Sequence, residues 1–193
     1  MKEFLGVVAV ILGFVSFFPY IRDILKGKTQ PHLYTYIIWG IVTALAFFGQ
    51  YVAGAGPGAW TTGVMEILTL FVLALCFRYG TKDITGFDTV LLVIALVAII
   101  PWFLTKDPTV SIVIATLIDV CAFLPTIRKT LNDADSETLI SWVVNLLRHG
   151  VAIFALTTFT LATYIYPAAL LFMNAVVVSV IVFGKRPTVE TSA

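Results

Sequence analysis

Phe17-Phe18-Pro19-Tyr20-Ile21-Arg22-Asp23-Ile24-Leu25 returns 106 positions later as Phe123-Leu124-Pro125-Thr126-Ile127-Arg128-Lys129-Thr130-Leu131. Phenylalanine, proline, isoleucine, arginine and leucine recur in register. Apolar coincidences between two hydrophobic segments are cheap, but a shared proline and a shared arginine in one short frame mark an internal duplication. The same offset, without gaps, superposes Leu33 on Leu139, Phe48 on Phe154 and Phe77 on Phe183. The stretch Phe87 to Leu104 finds no partner and reads as a linker. An odd number of helices between two repeats preserves their direction, so the halves should be parallel, related by an axis along the membrane normal.

The surrounding composition sets the solvent. Of 193 residues, 60% are hydrophobic and 12% charged, against roughly 25% charged in an average soluble domain. A span needs about 20 apolar residues. Hydropathy and turn residues predict spans at 4–24, 33–54, 60–79, 87–104, 109–128, 138–158 and 161–183. The fold class is therefore an all-α membrane protein, seven transmembrane helices arranged as two parallel three-helix repeats joined by a linker helix. Residues 1–80 form the first repeat, 81–106 the linker, 107–187 the second repeat and 188–193 a tail. No room is left for a conventional soluble enzyme. Lys2 precedes an apolar run as in a signal peptide, but no small-x-small cleavage site follows, so the first helix should be retained.

Arg22, Lys26, Lys28, Arg78, Lys82, Arg128, Lys129, Lys185 and Arg186 crowd one side, whereas Lys2 and Lys106 stand alone on the other. The positive-inside rule makes the crowded side cytoplasmic, with the N-terminus outside. An integral protein of the plasma (inner) membrane is expected. A formal net charge of +1, spread along the chain, gives no reason to invoke nucleic acid. Cys76 and Cys121 lie in apolar runs without metal or disulfide spacing.

Glu66, Asp119, Asn145, Arg148, His149 and Asn174 fall inside the spans. A charge at a helix centre costs about 2.5–3.5 kcal/mol even on a lenient insertion scale, so these side chains should face inward. At a rise of about 1.5 Å per residue, Asp119, Arg148, Asn174 and Glu66 lie about 13–18 Å from the cytoplasmic helix ends, near the midplane. Alternating-access carriers bind their solutes at that depth. Trp142, Asn145 and His149 recur at spacings of three and four and share one helix face, with Arg148 at its edge. Tryptophan supplies a flat surface with one donor, and asparagine supplies donor and acceptor together, a pairing suited to a sugar or nucleoside ring. Trp39 takes the place of Asn145 in the first repeat. Trp39, Trp142, Asn145, His149 and Asn174 are the candidate solute contacts. Glu66, Asp119 and Arg148 are the candidate buried charges, with Asp119, or alternatively Glu66, neutralising Arg148. Pro19 and Pro125 each remove a backbone donor and are candidate hinges at the cytoplasmic mouth. No catalytic residue, metal or cofactor is implied; the expected partners are a small-molecule solute and the lipid bilayer, with assembly of several copies left open.

These features resemble the SWEET and PQ-loop transporter superfamily, in which three plus one plus three helices run from outside to inside. The resemblance rests on Phe18-Pro19-Tyr20-Ile21-Arg22 and Leu124-Pro125-Thr126-Ile127-Arg128, and on Ser136-Glu137-Thr138, which is similar to the Ser-Thr-Glu region of sugar-transporting members. Asn174, seven residues after Pro167, resembles the pocket asparagine of that family; its counterpart in the first repeat is Leu68. The resemblance implies facilitated diffusion of a sugar by rocking of the two repeats. Proton-coupled transport, nucleoside or amino-acid transport, the related layout of bacterial nicotinamide riboside permeases, and a seven-helix receptor that binds without flux are the alternatives.

Overall fold

The structure, a computed structural model, describes residues 1–81, 84–97, 100, 104 and 107–184. The described residues form helices α1 (Lys2–Leu25), α2 (Leu33–Val52), α3 (Pro57–Tyr79), α4 (Gly86–Val97), α5 (Pro108–Asn132), α6 (Leu139–Ala155) and α7 (Leu161–Phe183), with a 3-10 turn at Ala134–Ser136 before α6. The chain writes its own boundaries. Lys26 and Gly27 end α1, Gly27 at φ 69, with Lys28 and Thr29 donating their N–H groups to Asp23 O. The His32 ring accepts from Thr35 N at the start of α2. Asp107 accepts from Thr109 N at 2.8 Å with Pro108 in the first turn of α5, and Thr160 with Thr163 forms a reciprocal capping box on α7.

The observed helices differ from the expected spans in informative places. Helix α3 starts at Pro57 rather than residue 60, because Gly56 at φ 60 turns the chain and Pro57 is preorganised for a first helical position. Helix α5 runs past Arg128 and Lys129 to Asn132. Helix α6 stops at Ala155, before 158, because Thr157 is held by the α2–α3 loop: its N–H donates to Ala55 O and its hydroxyl to Gly54 O. The distal part of the expected 87–104 span, the lysines Lys82, Lys106 and Lys185, Arg186 and the 188–193 tail lie outside the described residues.

Four of these helices, α1, α2, α3 and α7, are long and apolar enough to cross a membrane, and α6 is a shorter apolar helix. The distribution of side chains fits that solvent. Phe14, Phe18, Phe48, Phe71, Phe154 and Phe172 face outward, whereas Gln50, Asp119, Arg148, His149 and Asn174 are buried. That arrangement inverts the usual order of a water-soluble protein, in which buried polar groups are the exception, and it matches a bundle whose surroundings are hydrocarbon.

Packing follows a closed circuit: α1 against α3, α3 against α2, α2 against α5, α5 against α7, α7 against α6, and α6 back against α1. In each group of three the last helix sits between the other two, and α4 lies outside the circuit against α2 and α5. Asp88 in the first turn of α4 is fully buried and holds this corner. It accepts from Thr85 N and Thr85 Oγ1 at 2.8 and 2.7 Å, and lies 3.4 Å from both His32 Nε2 and Arg128 Nη2. Pro19, Pro125 and Pro167 all lie inside helices that continue through them.

Candidate functional site

The interior of the circuit is a cavity lined by α1, α2, α3, α5, α6 and α7. Its empty space, counted out to its open mouth, is about 710 Å³.

One wall is aromatic. Trp39 meets Tyr36 at 5.1 Å, Phe123 at 5.2 Å and Trp142 at 6.4 Å between ring centroids, all edge-to-face, and Tyr20 lies 6.3 Å from Tyr36. Edge-on stacking of this kind adds to area burial. Trp142 is pinned from below, because its Nε1 donates to Glu137 Oε2 at 3.0 Å while Glu137 Oε1 pairs with Lys129 Nζ at 2.7 Å. The indole donor expected for the solute is therefore already used. Trp39 Nε1, by contrast, is turned toward the Asp119 carboxylate inside the cavity.

The other wall is cationic and centres on Arg148, which is 6% exposed. Its Nε donates to Asn145 Oδ1 at 3.0 Å, its Nη1 to Thr61 Oγ1 at 3.2 Å, and its Nη2 contacts His149 Nε2 at 2.9 Å. A guanidinium has only donors, so His149 Nε2 is the acceptor and the imidazole is neutral in this contact, with its proton on Nδ1. Asn145 Oδ1 also accepts from Ser16 Oγ at 3.0 Å. Room for the arginine depends on Gly13: a Cβ there would run into the Met65 thioether and come within 3.2 Å of Arg148 Cδ.

The expected ion pair does not form. Neither Asp119 nor Glu66 lies within 4.0 Å of the guanidinium, whose partners are all neutral. The physical reason is the packing order. Helix α7 separates α5 from α6, and its Tyr166 stands within electrostatic reach of both Asp119 and Arg148. Asp119, 2% exposed, faces Tyr166 and Trp39, whose O–H and N–H point to its carboxylate. Glu66 is half-buried toward Gly40 on α2, outside the cavity.

The structure thus brings Trp39, Trp142, Asn145, His149, Asn174, Asp119 and Arg148 to one space and leaves Glu66, Pro19 and Pro125 out of its lining. Asn174 Nδ2 donates to Leu170 O at 2.7 Å, one turn back on its own helix, which leaves Oδ1 unpartnered. Hydroxyls from Ser16, Thr43, Thr62, Thr69, Ser141 and Tyr166 add to the polar lining and left no mark in the sequence, because they are too cheap to bury to stand out in a hydropathy profile. Tyr166 carried one usable signal: it precedes Pro167 inside a span.

Both ends of the cavity carry contacts between α1–α3 and α5–α7. At the end rich in lysine and arginine, Thr138 Oγ1 lies 2.9 Å from Thr29 Oγ1 and donates to Asp23 Oδ2, and Lys129 Nζ donates to Gln30 O. At the opposite end Lys2 Nζ donates to Phe154 O at 2.7 Å, and Gly58 packs so closely on Leu156 that a Cβ would sit 3.1 Å from its Cα. No protein-family model, curated protein or solved structure matches the chain.

Proposed function

We propose that the protein is a membrane transporter for a small polar solute, bound in the central cavity and passed by rocking of α1–α3 against α5–α7. The observation that carries this reading is a cavity walled by both halves and rich in buried polar groups, inside a bundle whose outer surface is apolar. Polar groups buried within a lipid-facing bundle mark a functional interior by default. The 3+1+3 repeat, with the N-terminus outside and the C-terminus cytoplasmic in the plasma membrane, belongs to the same proposal. Its support is the offset of 106 between the two proline frames and the recurrence of one packing order in each half. The likeness to SWEET and PQ-loop transporters points the same way.

The test is flux through purified protein in liposomes, screened against sugars, nucleosides, amino acids and carboxylic acids. Saturable uptake of one class supports the proposal. A neutral sugar, favoured by the Pro-Thr and Ser-x-Thr elements, is one arm of that screen. Binding without flux assigns a receptor instead. A second reading, coupling to protons, rests on Asp119, a buried carboxylate without an ion-pair partner among the described residues. Under it, uptake follows an imposed pH gradient, and Asp119→Asn abolishes that dependence while leaving exchange of solute intact.

A further inference from the structure

The guanidinium of Arg148 has three partners, Asn145, Thr61 and His149, and none carries a negative charge. Uncompensated buried charge is the costly case in a low-dielectric interior, where removal of a partner outweighs most single contacts. The nearest candidates on the protein are excluded by position: Asp119 lies across Tyr166 and Glu66 faces α2. The three contacts use Nε and one N–H on each terminal nitrogen, so one N–H on each terminal nitrogen remains, enough to hold both oxygens of a carboxylate. The residue lines the cavity, and the adjacent wall of aromatic edges accepts an apolar body.

Resting on the reading of the cavity as the solute site, we propose that the solute carries a carboxylate and that Arg148 holds it. A neutral sugar leaves the guanidinium uncompensated, whereas a carboxylate neutralises it at the moment of binding. Two sources share this chemistry. A simple carboxylic acid uses Arg148 alone. An amino acid uses Asp119 as well, whose carboxylate belongs to the same cavity lining and suits an ammonium group.

The test is binding of L-lactate, L-alanine, lactamide and D-glucose to the full-length protein in detergent, by calorimetry. At least one carboxylate should bind roughly 10- to 100-fold tighter than lactamide, the advantage of a charge-assisted fork over neutral hydrogen bonds. Arg148→Lys, which keeps the charge and loses the planar fork, should remove at least about tenfold of that advantage, while Arg22→Lys at the exposed counterpart of Arg128 should leave it unchanged. If Arg148→Lys does not fold, the acid-against-amide comparison on the wild type decides alone. Alanine over lactate, with the excess lost in Asp119→Asn, identifies an amino acid; lactate over alanine identifies a simple acid. The inference is overturned if lactamide binds as tightly as both carboxylates, if glucose is the solute that binds, or if neither carboxylate binds. Flux of a neutral solute without carboxylate binding sinks this inference and leaves the transporter reading standing, whereas carboxylate binding without flux of any solute does the reverse.

Discussion

Gly13 and Val42 in the first half occupy the positions that Asp119 and Arg148 occupy in the second, and Trp39 and Leu68 those of Asn145 and Asn174. The halves share their helix order, with α3 between α1 and α2 and α7 between α5 and α6, and they share the proline frame. Every charged or amide side chain in the cavity nevertheless comes from α5–α7, and the first half supplies rings, hydroxyls and Met65. Backbone packing depends on spacing and side-chain volume, and the two halves share the same packing order. Lining chemistry is set position by position, so one half becomes the polar face and the other its apolar and hydroxylic complement. Even the two arginines of the frame diverge. Arg128 reaches the buried Asp88 on α4, whereas Arg22, half-exposed, pairs with its neighbour Asp23 at 2.8 Å.

The comparison breaks most sharply at Glu137, whose aligned position in the first half is Pro31. Its side chain is 2% exposed and ties Lys129 to Trp142. Glu137→Ala should lower stability by about 2–3 kcal/mol, since it breaks a largely buried pair and orphans the indole N–H. Thermal unfolding in detergent measures this, and an unchanged midpoint would mean that the tether under the cavity is idle.

A smaller separation is expected between the two arginines. Arg128→Ala leaves Asp88 with Thr85 and His32 and should cost about 1–2 kcal/mol, while Arg22→Ala should cost less than about 1 kcal/mol as an exposed pair does. Equal losses in the same unfolding experiment would show that α4 is not held through Arg128. The smallest effect is one on affinity: Asn174→Leu should weaken binding of the transported solute about tenfold, a change of about 1.4 kcal/mol, whereas Leu68→Asn should leave it within about twofold. Calorimetry on folded variants checks both, and a loss from Leu68→Asn equal to that from Asn174→Leu would make the two halves equivalent after all.

Sequence alone located the helices well because hydrophobic length and turn chemistry are local properties. The last span, 161–183, coincides with α7, and the errors at 57 and 155 came from loops that bond to each other across the chain. The stripe of Trp142, Asn145 and His149, with Arg148 beside it, was legible for the same reason, since helical periodicity fixes a face. The partner of Arg148 was not. A rise per residue gives the height of a group in the membrane but says nothing of which helix lies beside it, so equal depth paired Arg148 with Asp119 although α7 stands between their helices. Thr61 and Ser16, the contacts across to α3 and α1, leave no trace in hydropathy. Glu66 shows the complementary failure: its depth was right for the cavity, but it points to α2.

Within the cavity, hydrogen bonds that span the two halves include Arg148 to Thr61, Thr43 with Tyr166, and Ser16 to Asn145, the single Ser16 hydroxyl proton being shared with Gly13 O. Each is worth about 0.5–1.5 kcal/mol net, somewhat more where the guanidinium takes part. Parting the walls at this depth would break these bonds together with the packing of Trp39 on Phe123 and Trp142. Asn145, Arg148, His149, Asn174 and Asp119 all ride on α5–α7, so one half carries the charged and amide groups as a set. Under the transporter proposal, that half would serve as the tray and α1–α3 as its cover.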